Sequence, residues 1–279
     1  MKYIKLVLSV TNDYQEALIA ELLELEFDAF EQQDGKLITY ISRERFSDVS
    51  RERIEQVLAA YPGEGHIQSE EVVADQNWNQ EWERTIKAQR IGQFFVKPTW
   101  DNSTAPSNSI LLEIDPKMAF GTGYHETTRL MLQLLPHVVK SGDLVMDAGT
   151  GTGVLSIAAI KLGAERAVAF DIDDWSIRNA QENVLINQVD RKVEVAKGSI
   201  EIVPDETEFD VILANINRNT IIDMLPSLVQ HLKSDGMLVL SGLLISDKDT
   251  ILEQEALKKL TLIQSIREND WIALQFKIT

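Results

Sequence analysis

Two rhythms of hydrophobic and polar positions divide this chain. The first stretch, "KYIKLVLSV" (2–10), places apolar residues at every second position, the period of a strand with one covered face. "NDYQEALIAELLELEF" (12–27) repeats Leu and Ile at helical spacing behind Asn12 and Asp13, which are good caps. "AFEQQD" and "KLITYISRE" flank Asp34-Gly35, a hairpin signal. "SDVSRERIEQVLAAYP" (47–62) starts on Ser, stops at Pro and reads as a second helix; "HIQSEEVVA" (66–74) reads as a last strand. The order β-α-β-β-α-β predicts a small α+β domain of ferredoxin-like type over 1–74. It has no glycine-rich turn and no cluster of reactive groups, so it is expected to dock a partner.

The second rhythm is slower. "DQNWNQEWERTIKAQRI" (75–91) sets Trp78 and Trp82 four apart, on one helical face. That predicts a linker helix pinned to a domain, though ordinary core packing would use the same pair. "FFVKPTW" (94–100) and "SILLEIDP" (109–116) read as strands around the polar loop "DNSTAPSN". A linker helix and strand are assigned to 75–100 and an α/β domain to 101–279. From 143 onward strands at 143–148, 167–172, 192–197, 209–215 and 236–242 alternate with helices at 154–162, 175–187, 219–233 and 247–259. Such alternation implies a parallel sheet covered on both faces. "TLIQSIREN" and "WIALQFKIT", joined by Asn269-Asp270, form a terminal hairpin, so one strand must run against the rest.

Composition narrows the chemistry. There is no cysteine, which excludes disulfides and thiolate metal sites, and the four scattered histidines argue against a metal centre. The formal charge of −17 disfavours phosphate backbones, so no direct nucleic-acid binding is expected; it favours a basic partner. Residues 1–76 hold 16 acidic against 7 basic side chains, a net of −9, so about a quarter of the chain carries about half the excess. No apolar run reaches membrane length and "MKYIKLVLSV" is too short and too alternating for a signal peptide; the expectation is a soluble cytoplasmic protein.

Two glycine turns carry the candidate chemistry. "VMDAGTGTGVLSIAAIKLG" is an apolar strand, then Gly149-Thr150-Gly151-Thr152-Gly153, then a helix. Glycines let the chain turn sharply and let a ligand lie against the backbone at the positive end of a helix. A second strand ends in Asp171, 22 residues after Gly149, where an acid can accept hydrogen bonds from both hydroxyls of a ribose. Dinucleotides and S-adenosylmethionine both use such turns. Here Val154 stands where the dinucleotide fingerprint wants its third glycine, and Asp147 leads the turn, where it would repel a pyrophosphate. S-adenosylmethionine has a ribose, an ammonium that Asp147 can orient and no phosphate, and is the favoured ligand, with Gly149 and Gly151 against it. The fourth strand ends in Asn215, at the crevice, where an amide can accept a hydrogen bond from an amine and aim its lone pair at the methyl group. The other turn, Gly121-Thr122-Gly123, leads into a helix near 126–139; Gly123 is assigned to the cofactor site, closing over its methionine end. His125 beside it is either a base or a hydrogen-bonding structural residue.

With these residues in place the chain resembles the PrmA family, bacterial methyltransferases of large-subunit ribosomal protein eleven. "FGTGYHETT", "DAGTGTGVLSIAAIKLGA", "AFDID", "LANI" and "LSGLL" follow in that family's order, and "DQNWNQEW" is similar to its linker. The likeness is specific from about 75 to 279; before that only the element order agrees. It implies an N-terminal substrate-recognition domain, a class I (Rossmann-like) methyltransferase domain, and methylation of lysine side-chain and N-terminal amines of the ribosomal protein, free or ribosome-associated. By motif, the cofactor contacts fall on Thr128, Gly149, Asp171 and Asn215. Glu126 stands where the family usually has Pro, Asn217 where it usually has Leu, and "KGSI" lacks the acid that many such enzymes aim at adenine. A methyltransferase for another protein or a small molecule is the alternative; a non-catalytic cofactor-binding factor is argued against by Asn215 and both glycine turns.

Overall fold

The computed structural model describes residues 2–25, 27, 29–46, 48–60, 65–74, 86–117, 121, 123 and 125–278. Trp78, Trp82 and the expected linker helix lie outside them. The chain divides into two compact units, Met1–Trp78 and Asn79–Thr279.

In the first unit β1 (Lys2–Ser9), α1 (Asn12–Glu24), β2 (Ala29–Gln33), β3 (Lys36–Ser42), α2 (Asp48–Ala60) and β4 (His66–Ala74) follow one another. The sheet order is β2-β3-β1-β4, antiparallel throughout. Leu6, Leu8, Leu37 and Ile41 meet Leu18, Leu22, Ile54 and Leu58 in one core, all fully buried. Each such side chain contributes about 1.5–3 kcal/mol. Asn12 does more than begin a helix. Its Oδ1 accepts from the amide of Gly35 at 2.9 Å, which holds the hairpin turn, where Gly35 has φ +69°.

The second unit opens with a three-stranded sheet: β5 (Gln89–Ile91) antiparallel to β6 (Phe94–Lys97), and β6 parallel to β7 (Ile110–Glu113). Helix α3 (Glu126–Val138) then leads to β8 (Leu144–Ala148), α4 (Val154–Leu162), β9 (Arg166–Asp171), α5 (Asp174–Ile186), β10 (Val193–Lys197), β11 (Phe209–Asn215), α6 (Arg218–Gln230) and β12 (Leu232–Leu244). Short α7 (Lys248–Leu252) precedes β13 (Leu260–Glu268) and β14 (Trp271–Ile278).

These strands form a seven-stranded sheet in the order β10-β9-β8-β11-β12-β14-β13. β14 runs antiparallel to both its neighbours and is the reversed strand that the terminal hairpin predicts. Successive residues of β11 serve opposite faces. Val211 and Leu213 join the core under α3 and α4; Ile212 and Ala214 join the core under α6. A sheet covered twice needs such continuous apolar runs.

The expected helix at 247–259 is broken. A 3-10 turn (Ile245–Asp247), α7 and a second 3-10 turn (Glu255–Lys259) replace it. Ile251 and Leu257 both enter the α6-side core. Six residues apart on an unbroken helix they would point about 120° apart, so the break lets both be buried. Among the described residues no helix is long and apolar enough to cross a membrane.

Candidate active site

The sheet order reverses between β8 and β11: the chain leaves β8 toward β9 and β10, then returns to lay β11 on β8's other side. Open α/β sheets bind ligands outside the strand ends at such a point. A cavity of about 450 Å³ lies there, a size typical of small-molecule sites.

The turn after β8 forms its floor. Gly149, Gly151 and Gly153 have φ of +73°, +55° and +81°, which side chains rarely tolerate. The amides of Gly149 and Thr150 both donate to the carbonyl of Phe170 at 2.9 Å, fastening the turn to β9. Gly151 donates its amide to Asp171 Oδ2 at 3.0 Å, and Asp173 donates its amide to Oδ1 at 3.0 Å. Asp171 is therefore held rigidly at the cavity wall with lone pairs to spare. Asp173 in turn caps α5, accepting from the amide of Ser176 at 2.8 Å, a contact worth about 1 kcal/mol.

Beyond Asp171 the wall is apolar. Ile172, Met224 and Phe170 line it together with Gly198 and Ser199 at the end of β10. Ile172 is 75% exposed, an isoleucine left open beside a cavity. On the other side of the turn stand Asn215, Asn217, His125, Thr127 and Trp271. Ile216 is clamped between two glycines. A Cβ on Gly149 would meet its Cγ2 at 2.2 Å, and one on Gly242 would meet its carbonyl oxygen at 2.1 Å.

Four of the residues expected in the site line the cavity: Gly149, Gly151, Asp171 and Asn215. The other three are elsewhere. Asp147 is fully buried below the turn, where its Oδ2 accepts from Thr150 Oγ1 (2.7 Å), Ser156 Oγ (2.6 Å) and the Ser156 amide (3.2 Å). Burial raises its carboxyl pKa above the ordinary value, against those hydrogen bonds. Three donors of the turn and α4 converge on that one oxygen, which braces the turn, while Oδ1 is buried with no partner among the described residues. Thr128 is fully buried one residue behind the wall, and its Oγ1 accepts from Asn215 Nδ2 at 3.5 Å. Gly123 packs toward Gln89, Val96 and Ile91 of the three-stranded sheet instead of the cavity.

His125 is the N-cap of α3. Its Nδ1 accepts from the amide of Thr127 at 3.3 Å and lies 2.9 Å from Thr127 Oγ1, while its ring meets Trp271 edge to face at 4.6 Å. Glu126 accepts from Asn269 Nδ2 at 2.8 Å, so it ties the start of α3 to the β13–β14 turn. Its own backbone amide and Asn269 hold its carboxyl below the usual pKa. Asn217 is the cap of α6, its Oδ1 occupied by the amide and hydroxyl of Thr220 at 3.0 and 3.1 Å.

Trp271, Ile172, Met224 and Ser199 are wall residues that the sequence reading did not name as contacts. An apolar residue inside the polar run "DIDD" was a legible sign for Ile172; Trp271 is brought in only by the register that sets it opposite Leu244.

A rigid carboxylate on the wall answers ribose hydroxyls, and the apolar stretch beside it answers a base. That set fits S-adenosylmethionine. The crevice, the glycine turn and the seven-stranded order with one reversed strand define a Rossmann-like, S-adenosylmethionine-dependent methyltransferase. Residues 5–279 match the family model described as Ribosomal protein L11 methyltransferase (PrmA), and the chain belongs to that family. It is 37% identical over 287 residues to the ribosomal protein L11 methyltransferase of Porphyromonas gingivalis, covering 99% of this chain and 98% of that one. The corresponding protein of Chlorobaculum parvum is 35% identical, with coverage of 97% and 95%. A crystal structure of ribosomal protein L11 methylase from Lactobacillus delbrueckii subsp. bulgaricus, 29% identical, superposes with a TM-score of 0.64 over 69% of this chain and 99% of that one.

Proposed function

We propose that the protein methylates lysine side-chain and N-terminal amines of ribosomal protein L11 in the cytoplasm. Asn215 carries the proposal: its Nδ2 is held by Thr128, and its Oδ1, at the cavity wall, is buried without a partner among the described residues. A buried carbonyl oxygen costs about 1–3 kcal/mol if left unpaired, so it is an acceptor awaiting a donor. An amine N–H supplies one. Asn215 would then hold the amine with its lone pair directed at the methyl group, which is the orientation that an in-line displacement needs.

S-adenosylmethionine supplies a methyl group on a sulfonium, ready to pass to a neutral amine. Asp171 would accept from the ribose hydroxyls, the Gly149–Gly151 backbone would lie against the ligand, and Ile172 and Met224 would cover the base. Asp147 keeps the turn in shape. The amine must arrive neutral or lose its proton before attack, so turnover falls as pH falls.

Residues 1–74 are assigned to substrate docking, as a ferredoxin-like domain, 75–100 to a linker and 101–279 to catalysis. The acidic front suits a lysine-bearing partner. Intact-mass spectrometry of the purified ribosomal protein after incubation with enzyme and cofactor tests the proposal. Mass increments of whole methyl groups, mapped by peptide to lysines and the N-terminus, are expected. No increment from an enzyme that binds cofactor would refute it.

A further inference from the structure

Thr152 belongs to the glycine turn but does not itself line the cavity, and it is fully buried. Its Oγ1 donates to the carbonyl of Gly121 at 2.6 Å, a short hydrogen bond away from water. Its own carbonyl accepts from Asn183 Nδ2 at 2.9 Å. Asn183 reaches further: its Oδ1 accepts from the amide of Asp115 at 2.9 Å, and its Nδ2 donates to the Asp115 carbonyl at 3.2 Å. Asn187, four residues on, pairs in the same way with the amide and carbonyl of Glu113, at 3.1 and 2.6 Å. The chain leaving β7 is thereby tied through α5 and Thr152 at Asp115 and again at Gly121. The second tie needs a glycine, since a Cβ on Gly121 would lie 2.9 Å from Thr152 Oγ1.

Four residues past Gly121 comes the His125 cap, and three past that Thr128, the partner of Asn215. At 3.5 Å the Asn215–Thr128 bond is at the limit of its range, so a few tenths of an ångström at the start of α3 would undo it.

We infer that Thr152 is a positioning residue: its hydroxyl fastens the first glycine turn to the second and so keeps the start of α3, with Thr128, in reach of Asn215. One turn holds the cofactor and the other aligns the acceptor amide, and Thr152 makes them one unit. The inference rests on the proposed role of Asn215.

The test compares Thr152→Val, which keeps the shape and removes the hydroxyl, with Thr152→Ser, which keeps the hydroxyl, and with Gly121→Ala, which crowds the contact from the other end. Turnover on the ribosomal protein, calorimetric cofactor affinity and backbone hydrogen exchange are measured for each. Thr152→Val is expected to lose about fivefold to tenfold in kcat, the scale of one buried hydrogen bond, with cofactor Kd within about threefold. Thr152→Ser should stay near wild type and Gly121→Ala should follow the valine variant. Exchange should quicken at 121–129 and not at 149–153. Wild-type kcat in Thr152→Val, a loss of affinity matching the loss of kcat, or unchanged exchange at 121–129 would each overturn the inference. Asn215→Ala, run in parallel, separates the two ideas. If it turns over normally, the proposed amine anchor fails, and the exchange data still decide whether the tie exists. If it fails while Thr152→Val does not, the inference alone is wrong. Should the valine variant not fold, Gly121→Ala decides by the same measurements.

Discussion

The two large sheets solve different problems with similar residues. The antiparallel sheet of the first unit, in the order β2-β3-β1-β4, is built from one hairpin and two connections through helices. The seven-stranded sheet must cross over at every parallel step, and its reversal between β8 and β11 leaves a crevice lined by strand ends, loops and the first turns of helices. Apolar burial builds both, and the connectivity of the second opens a cavity at its strand ends. The residues that line that cavity all come from the second unit.

Removing residues 1–74 should draw that contrast most sharply. Methylation of the ribosomal protein should be abolished while calorimetry still detects cofactor binding by the remainder, shown to unfold cooperatively. Full activity on the ribosomal protein would put docking in the second unit. For the whole protein, substrate binding should weaken with salt, because exposed charges are screened beyond about 10 Å at 0.1 M. Asn215→Ala comes next: kcat should fall by roughly a hundredfold, the size of effect expected when a buried group that aligns the reactants is lost, with little change in cofactor affinity. A near-normal turnover number would remove it from the reaction.

Asp171→Ala should weaken cofactor binding by about tenfold or more, the worth of a charge-assisted hydrogen bond. Unchanged affinity in a folded variant would show that the ribose is held elsewhere. The smallest effect belongs to Asp147. Burial raises its pKa in the folded state, so above the ordinary aspartate value of about 3.9 the native protein keeps a proton that the unfolded chain has lost. Its contribution to stability is full below that pH and declines as pH rises toward the folded value. Asp147→Asn keeps an acceptor oxygen and cannot titrate. Its melting temperature relative to wild type should therefore climb by roughly a few degrees as pH is raised from 4, and a flat difference would show that Asp147 is not perturbed.

Much of this was legible in the order of residues. Periodicity and turn dipeptides located the strands because one-face burial imposes period two and Asp34-Gly35 or Asn269-Asp270 mark reversals. Gly149, Gly151, Asp171 and Asn215 were legible because strand ends on one side of a parallel sheet must share a crevice. What was not legible depended on direction. Asp147 and Thr128 sit in the motifs but point into packed interior, which spacing cannot reveal. Gly123 faces the three-stranded sheet because a turn's outer side is set by what it packs on. Trp271 reaches the wall through a register shift between Leu240 and Leu243 of β12, and only coordinates show such a shift. The break at 253–254 arose because two apolar side chains six apart had to share one core.

The position of β14 has a consequence for synthesis. It is made after β13, yet it lies inside β13, between that strand and β12. During translation β13 emerges first and has no native neighbour to pair with, so the sheet ends at β12 until β14 arrives. Trp271 comes with that segment, as do Asn269 and its tie to Glu126. The wall of the cavity is thus completed by a strand made after all the others of its sheet. A nascent chain can carry its glycine turn, Asp171 and Asn215 and still lack the Trp271 wall of the pocket.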